Sequence, residues 1–157
     1  MKFLNLFIMI LYFLLPSAGN TQNSLAVKYD NISSSGLAYV CHISQYFVTV
    51  IDTKTNQAVG KINCSKGPNY ICFSADGKYG YIADFASDNI TVFDKNTNNI
   101  ISTVDAGVHP ETILPVQNGK YLLVSHESSE GNWIINTSDY SVFKKINCFH
   151  FTGNLLF

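Results

Sequence analysis

The sequence predicts an all-β chain built as an array of four-stranded antiparallel units, about three of them plus one extra strand. Three observations predict it. The chain matches itself without a gap at a shift of 42 residues. Each period holds four short segments rich in β-branched and aromatic residues, separated by Gly, Pro, Asn, Asp and Ser. No helical periodicity follows residue 19.

The shift places Tyr39-Val40 on Tyr81-Ile82 and Val48–Asp52 on Ile90–Asp94. It also places Thr55-Asn56 on Thr97-Asn98, Pro68 on Pro110, and Asp76–Tyr79 on Asn118–Tyr121. A third copy follows more loosely, with Leu123-Val124 on Tyr81-Ile82 and Trp133–Asn136 on Thr91–Asp94. A match this long and in register is the mark of a repeat array. In the middle copy the strands are expected at Asn69–Ser74, Tyr79–Asp84, Asn89–Asp94 and Asn99–Asp105. Asp76-Gly77 and Asn118-Gly119 predict hairpin turns, because a tight turn needs positive φ, which Gly and Asn tolerate. Asp52–Asn56 and Asp94–Asn98 suit the next turn, where side-chain oxygens cap local N–H groups. Four antiparallel strands per period of about forty residues is the arithmetic of a propeller blade. The expected fold is therefore a partial β-propeller preceded by an N-terminal signal segment.

Met1-Lys2 makes a short positive start, Phe3 to Leu15 is almost wholly apolar, and Pro16–Gly19 supplies a break and small residues. That pattern reads as a cleaved signal peptide at 1–19. The apolar run is shorter than the ~20 residues a membrane span needs, so no stable membrane anchor is expected after cleavage. No cysteine stands directly after the cleavage region, so a lipid anchor is not suggested. A secreted, periplasmic or cell-surface location follows. Residues 20–36 form an N-terminal segment with a candidate first strand. The repeats then run at about 37–66, 67–108 and 109–150, with a partial copy at 151–157. Ten basic against eleven acidic residues leave no basic stripe for a phosphate backbone, so nucleic acid is excluded as an expected partner.

The motifs Gly67-Pro68, Ser74-Ala-Asp-Gly-Lys78, Tyr81-Ile-Ala-Asp84 and Ile90-Thr-Val-Phe-Asp94 with Thr97-Asn98 resemble the YVTN-type propeller repeat. The resemblance covers residues from about 37 to 147. His109–Ile113 and Ser125-His-Glu127 look like variants found in bacterial members. The broad group includes lactonases and the haem-binding propeller of periplasmic nitrite reductases. It implies a propeller whose first strands line a channel. Connections between blades and second-to-third-strand turns then share one face.

That family usually closes with about seven blades, within the four to eight of known propellers. This chain carries three repeats and one further strand, Thr152–Phe157, aligned with Pro110–Pro115. An unclosed array exposes two apolar blade faces and an edge, which predicts association. Three readings stay open: a truncated or split gene product, closure with copies of the same chain, or pairing with another chain. Under the second, Thr152–Phe157 completes the first blade of a neighbour.

If the family topology holds, all four histidines lie at or near the loop face. His42 and His126 share one repeat position, which Asp84 fills in the middle copy, while His109 and His150 lie in blade connections. Glu111, Glu127 and Glu130 fall in the same zone. His42, Asp84, His109, Glu111, His126 and Glu127 are therefore the candidate ligand-binding residues. Histidines and carboxylates suit Zn, Cu or haem iron. Equivalent positions on neighbouring blades are well separated, however, whereas Zn ligands lie ~2.0–2.2 Å from one ion. No metal and no cofactor is expected.

Cys41, Cys64 and Cys148 replace small residues of the repeat, as buried free thiols often do, and no Cys-x-x-Cys spacing occurs. Four cysteines in an oxidising compartment would allow three full connectivities. The separations implied by the blades exceed the ~7 Å Cα limit for a disulfide. Aromatic residues, Trp133 among them, read as blade-to-blade packing rather than a stacking surface. Asn31, Asn63, Asn89 and Asn136 begin Asn-x-Ser/Thr sequons, which matter only in a eukaryote. No Gly-x-Ser-x-Gly elbow, phosphate loop or His-Glu-x-x-His occurs. The expected function is a binding or scaffold module for a protein, glycan or surface partner, or self-association through exposed blade edges. The alternative is an enzyme or enzyme fragment of the lactonase or haem-binding kind, in which His42, His109 and His126 become ligands or acid–base residues.

Overall fold

The computed structural model describes residues 36–127 and 131–147. The signal segment at 1–19, the candidate first strand in 20–35, the strand at Thr152–Phe157, and Glu130, Cys148 and His150 lie outside the described residues.

Eleven strands run in chain order: β1 Leu37–Cys41, β2 Phe47–Asp52, β3 Gln57–Asn63, β4 Pro68–Phe73, β5 Tyr79–Asp84 and β6 Asn89–Asp94, then β7 Ile100–Asp105, β8 Pro110–Val116, β9 Tyr121–His126, β10 Asn132–Asn136 and β11 Val142–Ile146. The only other regular element among the described residues is a 3-10 turn at Phe85–Ser87. The strands form three antiparallel meanders: β1-β2-β3, β4-β5-β6-β7 and β8-β9-β10-β11. We call them blades 1, 2 and 3. The expected middle-copy strands fall on the observed ones, with one-residue differences at the start of β4, the end of β4 and the start of β7. The fold is an all-β partial propeller, with three strands of blade 1 among the described residues.

The turns form for the reasons the sequence offers. Gly77 and Gly119 hold φ of 70° and 81°, preceded in the second turn by Asn118 at 55°. The Asp94 carboxylate accepts from the N–H groups of Asn96 and Thr97 at 2.9 and 2.8 Å, and Asn98 closes the turn at φ 59°. The Asp52 carboxylate does the same for Lys54 and Thr55. These bonds hold the Asp94 carboxyl below its ordinary range.

Side-chain alternation along each strand gives every blade two faces. Tyr39, Cys41, Val48, Val50 and Ile62 of blade 1 meet Ile71, Phe73, Ile82 and Phe93 of blade 2. The other face of blade 2, with Tyr81, Ala83, Ile90, Val92 and Val104, meets Ile113, Leu122, Val124, Trp133 and Ile135 of blade 3. Two apolar joints between three blades thus form the core. One irregularity repeats. The ladder to each outer strand shifts register at the same place, leaving Val59, Ile101 and Phe143 as bulged residues. All three are at least half exposed. A bulge bends an outer strand and blunts its edge against further pairing.

Candidate functional site

Blade connections and second-to-third-strand turns meet at one end of the blades, where β1, β5 and β9 end and β4 and β8 begin. The six residues singled out from the sequence lie at that end, and they divide into two kinds.

Asp84 and His126 are buried at the joints. Asp84 ends β5 with no exposed surface. Its Oδ2 accepts a 2.5 Å hydrogen bond from the Thr91 hydroxyl. Burial pushes its carboxyl up to about 6, against the opposing pull of the Thr91 hydroxyl, the Cys64 thiol and the N–H groups of Ser65 and Thr91. His126 ends β9 and is 3% exposed. Its Nε2 lies 2.5 Å from the Ala106 carbonyl of the preceding connection, and its Nδ1 lies 2.7 Å from the Gly131 carbonyl. Carbonyl oxygens only accept, so a ring nitrogen that carries hydrogen donates to the carbonyl it faces. Cys64 and Ala106 are equivalent in the repeat. Asp84 and His126 therefore perform one job: each ties the end of a second strand to the connection leaving the previous blade.

His42 occupies the same position in blade 1 but is only half-buried. Its Nε2 lies 2.8 Å from the Thr49 hydroxyl, and its ring leans on Phe47 at 5.1 Å. No hydrogen bond or ion pair among the described residues links His42, Asp84 and His126.

His109 and Glu127 are brought together. His109 Nδ1 stands 3.7 Å from the Glu127 carboxylate, with the two side chains 45% and 55% exposed. The imidazole stacks on Phe85, with centroids 4.5 Å apart and planes 12° from parallel. Backbone bonds frame the pair: Glu127 N–H donates to the His109 carbonyl, and His109 N–H donates to the Asp88 carboxylate at 2.9 Å. His109 holds φ 54°, a left-handed conformation that costs a side-chain-bearing L-residue roughly 1–2 kcal/mol. At the start of blade 2 the same position is Gly67, at φ 78°, where a Cβ would crowd Ala86.

Glu111, second in β8, stands apart from that pair. Its carbonyl accepts from the Asn69 side chain at 3.3 Å, and its carboxylate Oε2 is enclosed without a hydrogen-bond partner. Phe85 and Asp88 complete the His109 arrangement and were not among the residues picked out from the sequence as site candidates. The signal for Phe85 lay in the repeat, since it shares its position with Glu127.

Cys41, Cys64 and Cys72 are free thiols. Burial pushes the Cys41 thiol up to about 12, with a further push from Asp84, and raises Cys64 and Cys72 further still. Thiols held protonated in this way are poor nucleophiles. Among the described residues no three His, Cys, Asp or Glu side chains converge as a metal site. No described helix is long and apolar enough to cross a membrane.

Meandering blades packed face to face, with their connections gathered at one end, define a β-propeller protein. No protein-family model and no curated protein matches the chain. Solved structures do. Hydrazine synthase from Kuenenia stuttgartiensis matches with a TM-score of 0.67 and 21% identity, over 72% of this chain and 33% of that one. Dihydro-haem d1 dehydrogenase NirN in complex with DHE matches with a TM-score of 0.61 and 19% identity, over 84% and 26%. A putative 6-phosphogluconolactonase from Bacteroides fragilis matches with a TM-score of 0.58 and 21% identity, over 68% and 34%. These neighbours are propeller proteins. The chain spans about a third or less of the length of each. At this identity the likeness carries the fold alone.

Proposed function

We propose that this chain is an exported propeller-repeat protein of the YVTN type that works as a binding module, engaging a protein or glycan partner through its loop face. The contact centres on His109, Glu127 and Phe85. The family assignment within propellers rests on Ser74–Lys78, Tyr81–Asp84 and Ile90–Asp94, and export rests on the composition of residues 1–19.

The observation that carries the reading is the backbone of His109. A side chain is kept in a left-handed position where the preceding blade uses glycine. Its ring is nearly half exposed and adds little to the core. A strained backbone that holds a largely accessible side chain, packed only on the half-buried Phe85 ring, supports a functional role. The ring stacked on Phe85 offers a flat face and a nitrogen, with a carboxylate beside it. That combination suits polar, partly planar groups of a peptide or sugar.

The test is binding of the labelled chain to glycan and peptide arrays, with His109→Gly and Glu127→Gln read alongside. Glycine suits the backbone at 109, so that variant removes the ring without straining the fold. A loss of about tenfold or more in both variants supports the reading. Binding that both variants leave unchanged removes these residues from the contact. A Soret band or stoichiometric metal in the purified protein would instead favour the enzyme reading.

A further inference from the structure

Blades 1 and 3 each present one face that the joints described above do not use. On blade 1 it carries Val40, Thr49 and Ile51, which alternate with the residues packed on blade 2. On blade 3 it carries Leu123, Ile134 and Ile146, which alternate with or pair beside those packed on blade 2.

The repeat shows what these positions do elsewhere. Val40 is 39% exposed, whereas its equivalents Ile82 and Val124 are sealed at 0% within the two joints. Ile51 is half-buried, whereas Phe93 and Ile135 are at 0%. On the other side Ile146 is 37% exposed, whereas Ile62 and Val104 are at 0% and 5%. Ile134 is half-buried, against 2% for Val50 and 0% for Val92. The free face of blade 3 is thus the repeat equivalent of the faces by which blades 1 and 2 receive the next blade. The free face of blade 1 is the equivalent of the faces that blades 2 and 3 offer in return.

We propose that the two faces mate with each other between two copies of this chain, blade 3 of one copy packing on blade 1 of the other. The occupant is a second copy because the contact continues an interface the molecule already makes twice, with the same repeat positions. Strand addition at the outer edges is the poorer route, since the bulges at Val59, Ile101 and Phe143 interrupt those ladders. The joint is heterologous, so its rotation decides whether it closes or propagates. A pair closes when both joints form at once, blade 3 of each copy on blade 1 of the other. At such a joint His42 takes the place that Asp84 and His126 hold inside the chain.

The test is the solution mass of the purified chain by light scattering after size exclusion, over a range of loading concentrations. A discrete species at twice the chain mass is expected. Val40→Asp and Ile134→Asp each put a charge on one mating face, and each is expected to give monomer with unchanged circular dichroism. Mixing the two variants restores a dimer through the one joint that remains intact. Should Val40→Asp lose its native spectrum, Thr49→Lys makes the same test from a half-buried polar position. A folded wild-type monomer, or a dimer that persists in both face variants, overturns the proposal. Open chains that grow with concentration overturn the closed ring.

Discussion

The Thr91 hydroxyl donates a 2.5 Å hydrogen bond to the buried carboxylate of Asp84, seven residues earlier across the β5–β6 hairpin. The same two positions hold His42 against the Thr49 hydroxyl in blade 1, and His126 against the Trp133 ring, 5.4 Å away, in blade 3. One backbone arrangement thus presents three different polar pairs, and burial decides what each pair does.

Asp84 makes stability depend on pH with a definite sign. Its carboxyl is raised from 3.8 to about 6 in the folded chain, so the folded state holds the proton more tightly than the unfolded one. That contribution is fully present below about pH 4, is lost as pH rises to about 6, and is flat above. Two units correspond to something on the order of 3 kcal/mol. Urea denaturation from pH 4 to 7 is expected to show wild type falling relative to Asp84→Asn across that window. Parallel curves would remove Asp84 as the cause.

His126 and His42 share a repeat position and should differ in their response to truncation. His126→Ala removes a buried ring that faces the Ala106 and Gly131 carbonyls, and a loss of about 1–3 kcal/mol is expected where an enclosed acceptor is left without its donor. His42→Ala removes one bond at a half-buried site, and about 1 kcal/mol or less is expected. Denaturation midpoints of the two variants check the order, and equal losses would contradict the joint described for His126.

His109 separates backbone strain from side-chain contact. His109→Gly relieves the left-handed backbone, whereas His109→Ala keeps the strain and loses the ring. The glycine variant should therefore be the more stable of the two by about 1 kcal/mol. Thermal melts of the pair are sufficient. An alanine variant as stable as the glycine one would mean that position 109 is unstrained.

Gly80 and Phe93 face each other across β5 and β6, and Phe93 is fully buried. A Cβ at position 80 would overlap the Phe93 ring. Gly80→Ala is expected to cost about 1–3 kcal/mol through overpacking, and more if the ring cannot move. Adding Phe93→Leu to it should recover part of the loss, which a double-mutant cycle measures. Additive losses would show that the two sites do not share the space.

Much of the fold was legible because its information is local. A turn such as Asp94–Asn98 is set by side chains bonding their own backbone, and the strands on either side alternate in a pattern that neighbouring residues define. Tyr79–Asp84 and Asn89–Asp94 were for that reason found at their observed limits. The His109–Glu127 pair was legible only as a shared zone. Its contact with Phe85 joins residues 24 positions apart, and its distinction from Gly67 depends on a backbone angle.

The sequence by itself determined the 42-residue period and the strands and turns of each described blade, because each follows from short-range patterning. The tertiary structure alone decided which equivalent residues are enclosed. Val40 stays open where Ile82 and Val124 are sealed, and His126 is enclosed where His42 is half-buried. Burial of a repeat position depends on whether another blade packs over it, and a residue carries the same local signal whether its neighbour is present or not.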